Sequence, residues 1–187
     1  MEITWHLYRF WYNVFMILQY FKHSPDVVDP NFQTRMAACF DLAAYIPKNE
    51  KIKIYKGKSF TEILPEYDSS NDKTFIALMP GERALIRTGL TFNVPEQYSL
   101  RLHPRSGMAL KYGLTLANCE GIVDEDYTLE TKIIVLNTNT EESIKIYDRD
   151  RIAQAEVVEY EQCYFQEIYK EPDQKSDRVG GFGSTGK

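Results

Sequence analysis

The chain has 187 residues and a formal net charge of −5; 43% of its residues are hydrophobic and 26% are charged. Domains usually contain about 100–200 residues, so these figures indicate one globular domain with room for an added segment. The mild acidity argues against a nucleic-acid-binding protein, which would need a basic face. The cysteines Cys39, Cys119 and Cys163 form no CxxC pair. They predict reduced thiols in a cytoplasmic or other reducing intracellular compartment.

The first 21 residues form an aromatic-rich run that is interrupted by His6, Arg9 and Asn13. A charge inside such a run disfavours a membrane-spanning helix, and the segment lacks the basic start and small-residue cleavage site of a signal peptide. Because the polar residues recur at helix-like intervals, we expect a short amphipathic helix that packs against protein. Membrane contact through residues 1–21 is the less favoured alternative.

A lysine-rich stretch follows between Lys48 and Lys73, and its last part is the turn-forming cluster Ser-Ser-Asn-Asp at 69–72. The alternation of Ile52 and Ile54 predicts one strand of a surface hairpin, and the polar cluster predicts a loop after it. For the lysines, a solvated surface is favoured over a phosphate or partner contact.

From residue 84 onward the chain consists of short stretches that alternate polar with β-branched or aromatic residues. Glycine and proline separate several of these stretches, which is the pattern of short β-strands. The predicted strands are 84–88, 90–94, 98–103, 114–117, 131–136, 143–146 and 152–160. Their regular spacing is typical of a barrel or jelly roll. The exception is residues 105–112, whose composition favours a helical turn or two.

Three segments carry residues suited to phosphate or acid–base chemistry. Residues 178–187 are glycine-rich around Phe182, so their backbone can approach a phosphate while the ring offers a stacking face, although a disordered tail fits the composition equally well. Residues 121–127 hold three consecutive acids, of which Asp124 and Asp126 point to one side; either a general base or a solvated hairpin tip fits. Residues 104–107 place a guanidinium and a hydroxyl before a helical turn, a combination suited to phosphate.

Taken in order, these segments closely resemble the motifs of the homotrimeric dUTPase family. The five matching motifs are Ala37–Leu42, Pro104–Ala109, Gly121–Tyr127, Arg151–Gln154 and Gly181–Gly186. The resemblance covers roughly residues 24–47 and 75–187. It implies an all-β, jelly-roll-like subunit of the β-clip type and a homotrimer with shared active sites. It also implies Mg²⁺-dependent hydrolysis of dUTP to dUMP and diphosphate.

The resemblance gives each matching residue an expected role. Asp124 would be the general base that activates the water attacking the α-phosphorus, and Asp41 would reach Mg²⁺ through water. Tyr127 would pack under the deoxyribose, Phe182 would stack on the uracil, and Arg151 would be structural. The remaining expected substrate-binding residues are Arg105, Ser106, Gly107 and Gln154 toward the phosphates, Asn118, Gly121 and Val123 toward the base, and Arg178, Gly183, Ser184 and Thr185 in the tail. For Asn118, a turn residue at a strand end is the alternative.

The resemblance also divides the chain. We expect a β domain at 16–177 with an insertion at about 48–73, and a helical, aromatic appendage at 1–15. The glycine-rich arm at 178–187 would close a neighbouring active site. Two alternatives stay open: a dCTP deaminase-like enzyme of the same fold, which Gly107 and Asp124 argue against, and a regulatory protein-binding module on the dUTPase scaffold.

Overall fold

A computed structural model of the chain describes residues 16–177, and this range folds into short strands and one short helix. The elements are β1 Gln19–Lys22, β2 Phe40–Ala43, β3 Ile52–Lys56, β4 Ser59–Ile63, β5 Glu66–Asp68, β6 Lys73–Leu78, β7 Arg83–Arg87, β8 Leu90–Asn93, β9 Tyr98–Pro104, α1 Ser106–Tyr112, β10 Leu114–Leu116, β11 Gly121–Val123, β12 Lys132–Asn137, β13 Ile144–Tyr147 and β14 Arg151–Glu159. The expected appendage at 1–15 and the expected arm at 178–187 lie outside the described residues.

The strands of residues 16–177 form four antiparallel sheets. Their strand orders are β10-β12-β7-β3-β4, β11-β9-β14-β2, β13-β6-β5 and β1-β8. Most neighbours within a sheet are distant in the chain, as when β14 pairs with both β9 and β2. This all-β architecture is the jelly-roll-like fold that the sequence predicted.

One hydrophobic core lies between the sheets, and the alternation of side chains along each strand builds it. On β12, for example, Ile133 and Val135 are buried while Lys132 is exposed. Leu42 on β2 and Ile86 on β7 are fully buried in the same cluster. Each such side chain contributes about 1.5–3 kcal/mol by leaving water, so the core holds the functional strands in place.

The strands predicted between residues 84 and 160 are confirmed, and each observed end lies within one residue of the predicted end. The predicted helical turn is also confirmed as α1. No helix in residues 16–177 is both long enough and apolar enough to cross a membrane.

The lysine-rich stretch is only partly as predicted. Its hairpin is confirmed, because β3 pairs with β4 around a turn at Gly57, which has a φ of 59°. The rest is not a plain loop, since β5 and β6 form a second hairpin. Residues 121–123, expected to lie between two strands, form β11 themselves. These short strands lack the length that makes an alternating pattern recognisable.

Candidate active site

Residues of the first, second and fourth motifs meet where β2, β9 and β14 lie side by side. Asp41 is buried and receives two arginines: Arg105 Nε lies 2.9 Å from Oδ1, and Arg151 Nη1 lies 2.9 Å from Oδ2. Arg105 also donates from Nη1 to the carbonyl of Arg151 at 2.8 Å, and Gln154 donates from Nε2 to the carbonyl of Pro104 at 3.0 Å. Hydrogen-bonded pairs of this kind fix the directions of the charged groups.

Strand register explains why these residues meet although the chain separates them widely. Gln154 lies opposite Asp41 on one side and opposite His103 on the other. The register of β14 against β2 shifts between Arg151 and Ala153. The expected structural role of Arg151 agrees with its ion pair to Asp41, while the pairing of Asp41 with Arg105 was not foreseen.

Ser106 and Gly107 open α1 directly after this cluster. Arg105 stands at the N-cap position but makes no capping bond, because a guanidinium has no acceptor for a helix amide. Its side chain pairs with Asp41 instead. No residue of α1 is buried, and a Cβ atom placed on Gly107 would meet nothing within 4 Å. The first turn of α1 therefore faces open space that a ligand can enter.

A second group of expected site residues lines a cavity of about 340 Å³ between β11 and β12. Asn118, Gly121, Val123 and Tyr127 all contribute to it. A Cβ atom on Gly121 would lie 2.9 Å from Cδ1 of Leu102, so β11 packs closely on β9 only because this residue is glycine. The Tyr127 hydroxyl donates to the carbonyl of Glu130 at 3.2 Å, which holds the ring at the cavity.

The three acids after β11 have different surroundings. Asp124 and Asp126 are exposed, and the Asp124 carbonyl accepts the amide of Tyr127 at 3.1 Å in a turn. Glu125 instead accepts the amide of Gln97, and a hydrogen bond from Tyr160 to Glu125 raises the pKa of that tyrosine. Glu125 thus anchors the turn, a role that the sequence did not reveal, and the carboxylate of Asp124 stays available.

The two groups lie at opposite ends of β9. Val123 pairs with Leu100 near the start of β9, whereas Arg105 follows its last residue, Pro104. At about 3.3 Å per residue, Asp124 and Arg105 are roughly 20 Å apart in one chain. A single chain therefore does not bring the expected base next to the expected phosphate ligands.

The remaining expected residues offer no alternative centre in the described range. Arg178, Phe182, Gly183, Ser184 and Thr185 lie outside it. Within residues 16–177, no three His, Cys, Asp or Glu side chains are grouped so as to hold a metal ion. Burial, followed by the carboxylates of Glu156 and Asp41, raises the pKa of the Cys39 thiol, which makes it a poor nucleophile.

Comparison with protein families gives one match to most of the chain: a family model described as dUTPase matches residues 66–186. Among curated proteins, the deoxyuridine 5'-triphosphate nucleotidohydrolase of Bdellovibrio bacteriovorus is 41% identical over 145 residues, which is 73% of this chain and 96% of the relative. The enzyme of the same name from Streptomyces avermitilis is 46% identical over 109 residues, which is 58% of this chain and 62% of the relative.

Solved structures show the same fold. A mutant of the Staphylococcus bacteriophage 80alpha dUTPase with dUpNHpp matches with a TM-score of 0.65 and 19% identity, over 91% of this chain and 98% of that chain. A mutant dUTPase from phage phi11 of S. aureus, described with a structural Mg(II) ion, matches with a TM-score of 0.62 and 17% identity, over 83% and 98% of the two chains. At these identities the likeness concerns the fold.

Proposed function

The chain belongs to the dUTPase family and is a dUTP diphosphatase that hydrolyses dUTP to dUMP and diphosphate, and we propose that a homotrimer assembles each active site from different subunits. The separation of Asp124 from Arg105 along β9 is the observation that carries this proposal. In a trimer, the base end of one β9 meets the phosphate end of another. Each chain thus supplies its base end to the active site shared with one neighbour and its phosphate end to the active site shared with the other.

Asp124 acts as the general base in this assembly. Its exposed carboxylate takes a proton from the water that attacks the α-phosphorus, while Glu125 holds the turn through Gln97. Phosphoryl transfer depends mainly on positioning and on neutralising charge. A rigid turn that presents one free carboxylate suits that requirement.

Arg105, Ser106, Gly107 and Gln154 bind the phosphates. The Asp41 carboxylate orients Arg105, so the guanidinium does not have to be ordered when the substrate arrives. The open space at Gly107 lets phosphate oxygens approach the backbone without meeting a side chain.

The cavity beside β11 holds the uracil and the deoxyribose. The Asn118 amide both donates and accepts, as the uracil edge requires, and the backbone from Gly121 to Val123 completes the recognition of the base. Tyr127 packs under the sugar and excludes a ribose 2′-hydroxyl. In the arm at 178–187, Phe182 covers the base, and the terminal phosphates are held by Arg178, Gly183, Ser184 and Thr185.

Magnesium is the cofactor in this proposal. The absence of a grouped set of acidic ligands within residues 16–177 fits an ion that is held chiefly by the substrate phosphates and by water. Bound there, Mg²⁺ neutralises phosphate charge. Asp41 stays the candidate for a contact through water, although both of its oxygens already accept bonds from arginines.

The same proposal covers the domain limits and the compartment. The β domain spans 16–177, the insertion spans about 48–73, residues 1–15 are an appendage and residues 178–187 close a neighbour's site. The three cysteines are free, which supports a reducing intracellular compartment, and the acidity supports a protein without a nucleic-acid partner.

Subunit complementation tests the shared site. Asp124→Asn and Arg105→Ala trimers are each expected to be inactive. Unfolding and refolding an equal mixture should restore activity to about a quarter of the sites, because each required residue is intact in half of the subunits.

Diphosphate release from dUTP, with dCTP, dTTP and UTP alongside, reports the result, and light scattering verifies the trimer. The refolded wild type sets the full value. A mixture that stays inactive would place Asp124 and Arg105 in one chain and contradict the shared site.

A further inference from the structure

Arg149 occupies a backbone conformation that favours glycine. It lies in the turn between β13 and β14 with a φ of 68°. A residue with a Cβ atom is strained in this left-handed region, whereas glycine enters it freely. Arginine therefore stands here at the expense of local strain.

The surrounding bonds impose this conformation on the turn. Arg149 donates its amide to the Ala44 carbonyl at 2.8 Å, and Ala44 donates its own amide to the Asp150 carbonyl at 2.8 Å. The Asp150 carboxylate accepts the Tyr147 amide at 3.0 Å. None of these bonds uses the side chain of Arg149, so glycine would preserve them all. The guanidinium needs another reason to be present.

The side chain of Arg149 lines a cleft of about 590 Å³ whose wall also contains Arg105 and Arg151. Those two arginines share Asp41 at 2.9 Å each. Arg149 Nε lies 3.5 Å from Asp148 Oδ2, and 54% of its side chain is exposed. Of the three guanidiniums, it is the most exposed and has the longest ion-pair distance.

We propose that Arg149 binds the terminal phosphates of the substrate. This proposal rests on the proposed function, which directs a triphosphate to Arg105, at the wall of the same cleft. Arg149 adds a third guanidinium to the wall of that cleft. A planar guanidinium donates two parallel hydrogen bonds to phosphate oxygens, a contact that glycine, although unstrained here, could not make.

Two substitutions separate the charge of Arg149 from its strain. Arg149→Gly removes both, and Arg149→Gln removes the charge but keeps a strained residue. Each is expected to raise the KM for dUTP about tenfold, the effect of one charge-assisted contact. Competitive inhibition by dUMP, which lacks the terminal phosphates, should change less than about twofold in either variant.

A purely structural role would affect dUTP and dUMP equally, so equal losses would overturn the proposal, as would an unchanged KM for dUTP. Asp72→Gly is the matched control, because Asp72 is another left-handed residue, with a φ of 57°, and lies in the turn between β5 and β6. Its KM for dUTP should not change.

Calorimetry with inorganic tripolyphosphate keeps this proposal separate from the proposed function. If the wild type failed to hydrolyse dUTP, weaker tripolyphosphate binding by Arg149→Gly than by the wild type would still support a phosphate site. Equal binding by the two proteins would overturn it.

Discussion

The two ends of β9 are built in different ways. At the Pro104 end, a buried carboxylate, that of Asp41, binds two arginines and receives its position from three adjacent strands. At the Tyr98 end, Asp124 stands exposed on a turn that is anchored through its neighbour Glu125. One end is a preformed cluster of charges, and the other is a free acid on a fixed turn.

This difference follows from the chemistry assigned to each end. Phosphates carry their charge before the reaction begins, so a group of preoriented cations binds them at once. A general base needs a free carboxylate, and it needs a low-dielectric site only when the bound water attacks the phosphorus. In the proposed trimer, the base end therefore depends on a neighbouring subunit for burial, while the phosphate end does not.

The largest expected effect concerns the free acid. Asp124→Asn should lower kcat about 10²–10⁴-fold with little change in dUTP binding, because the amide cannot take a proton. Steady-state kinetics and calorimetry with dUpNHpp measure the two quantities. Asp126→Asn is the matched control and should keep wild-type kcat; a similar loss in both variants would assign the effect to the net charge of the turn.

The next effect concerns the preformed cluster. Asp41→Asn should lower the free energy of unfolding by about 1.5–3 kcal/mol, since the hydrogen bonds of a charged group are lost while two guanidiniums remain beside it. Urea unfolding measures this change. Asp29→Asn removes an exposed carboxylate that pairs with Lys22 and should change stability far less. Comparable losses would mean that burial at Asp41 adds nothing.

Replacing one glycine near each end of β9 by alanine adds a single methyl group, and the effects on stability and activity compare the two ends. Gly121→Ala should cost about 1–3 kcal/mol of unfolding free energy, because its Cβ atom would press on the buried Leu102. Gly107→Ala should stabilise the fold by roughly 0.5 kcal/mol as a helix former in open space, yet reduce kcat/KM for dUTP by obstructing the phosphates. Full activity in Gly107→Ala would show that no phosphate approaches this backbone.

The smallest expected effect is a pH dependence of the free energy of unfolding, and it arises from a carboxyl group beside the phosphate end. Burial raises the pKa of the Asp148 carboxyl, although the Ile46 amide and Arg149 oppose the shift. Since the folded protein holds this proton more tightly than the unfolded chain, Asp148 stabilises the fold increasingly as the pH falls through its raised pKa toward the ordinary value of 3.8. The stability of the wild type relative to Asp148→Asn should therefore rise toward acid.

Thermal unfolding of both proteins from pH 7 down to pH 4 measures that difference. A constant difference across this window would show that the carboxyl of Asp148 titrates alike in the folded and unfolded chains.

The strands after residue 84 were predictable because their alternation and their glycine and proline boundaries are local signals. Motif order likewise located Asn118, Gly121 and Tyr127 around one cavity. The ion pair of Asp41 with Arg105 was not predictable from local pattern, because a strand register decides which distant residues face each other. Glu125 was missed for the same reason, since its partners Gln97 and Tyr160 are distant from it in the chain.

The register shift in β14 has a consequence for the spacing of Arg151 and Gln154. Residues three apart on a regular strand point to opposite faces. Because the register shifts between Arg151 and Ala153, the strand carries one extra residue there, and Arg151 returns to the face that Gln154 shares with Asp41. The three-residue interval from Arg151 to Gln154 thus requires a β-bulge for both side chains to lie on one face. Deleting Ile152 would shorten the interval to two residues, at which a regular strand without the bulge would keep both side chains on the face of Asp41.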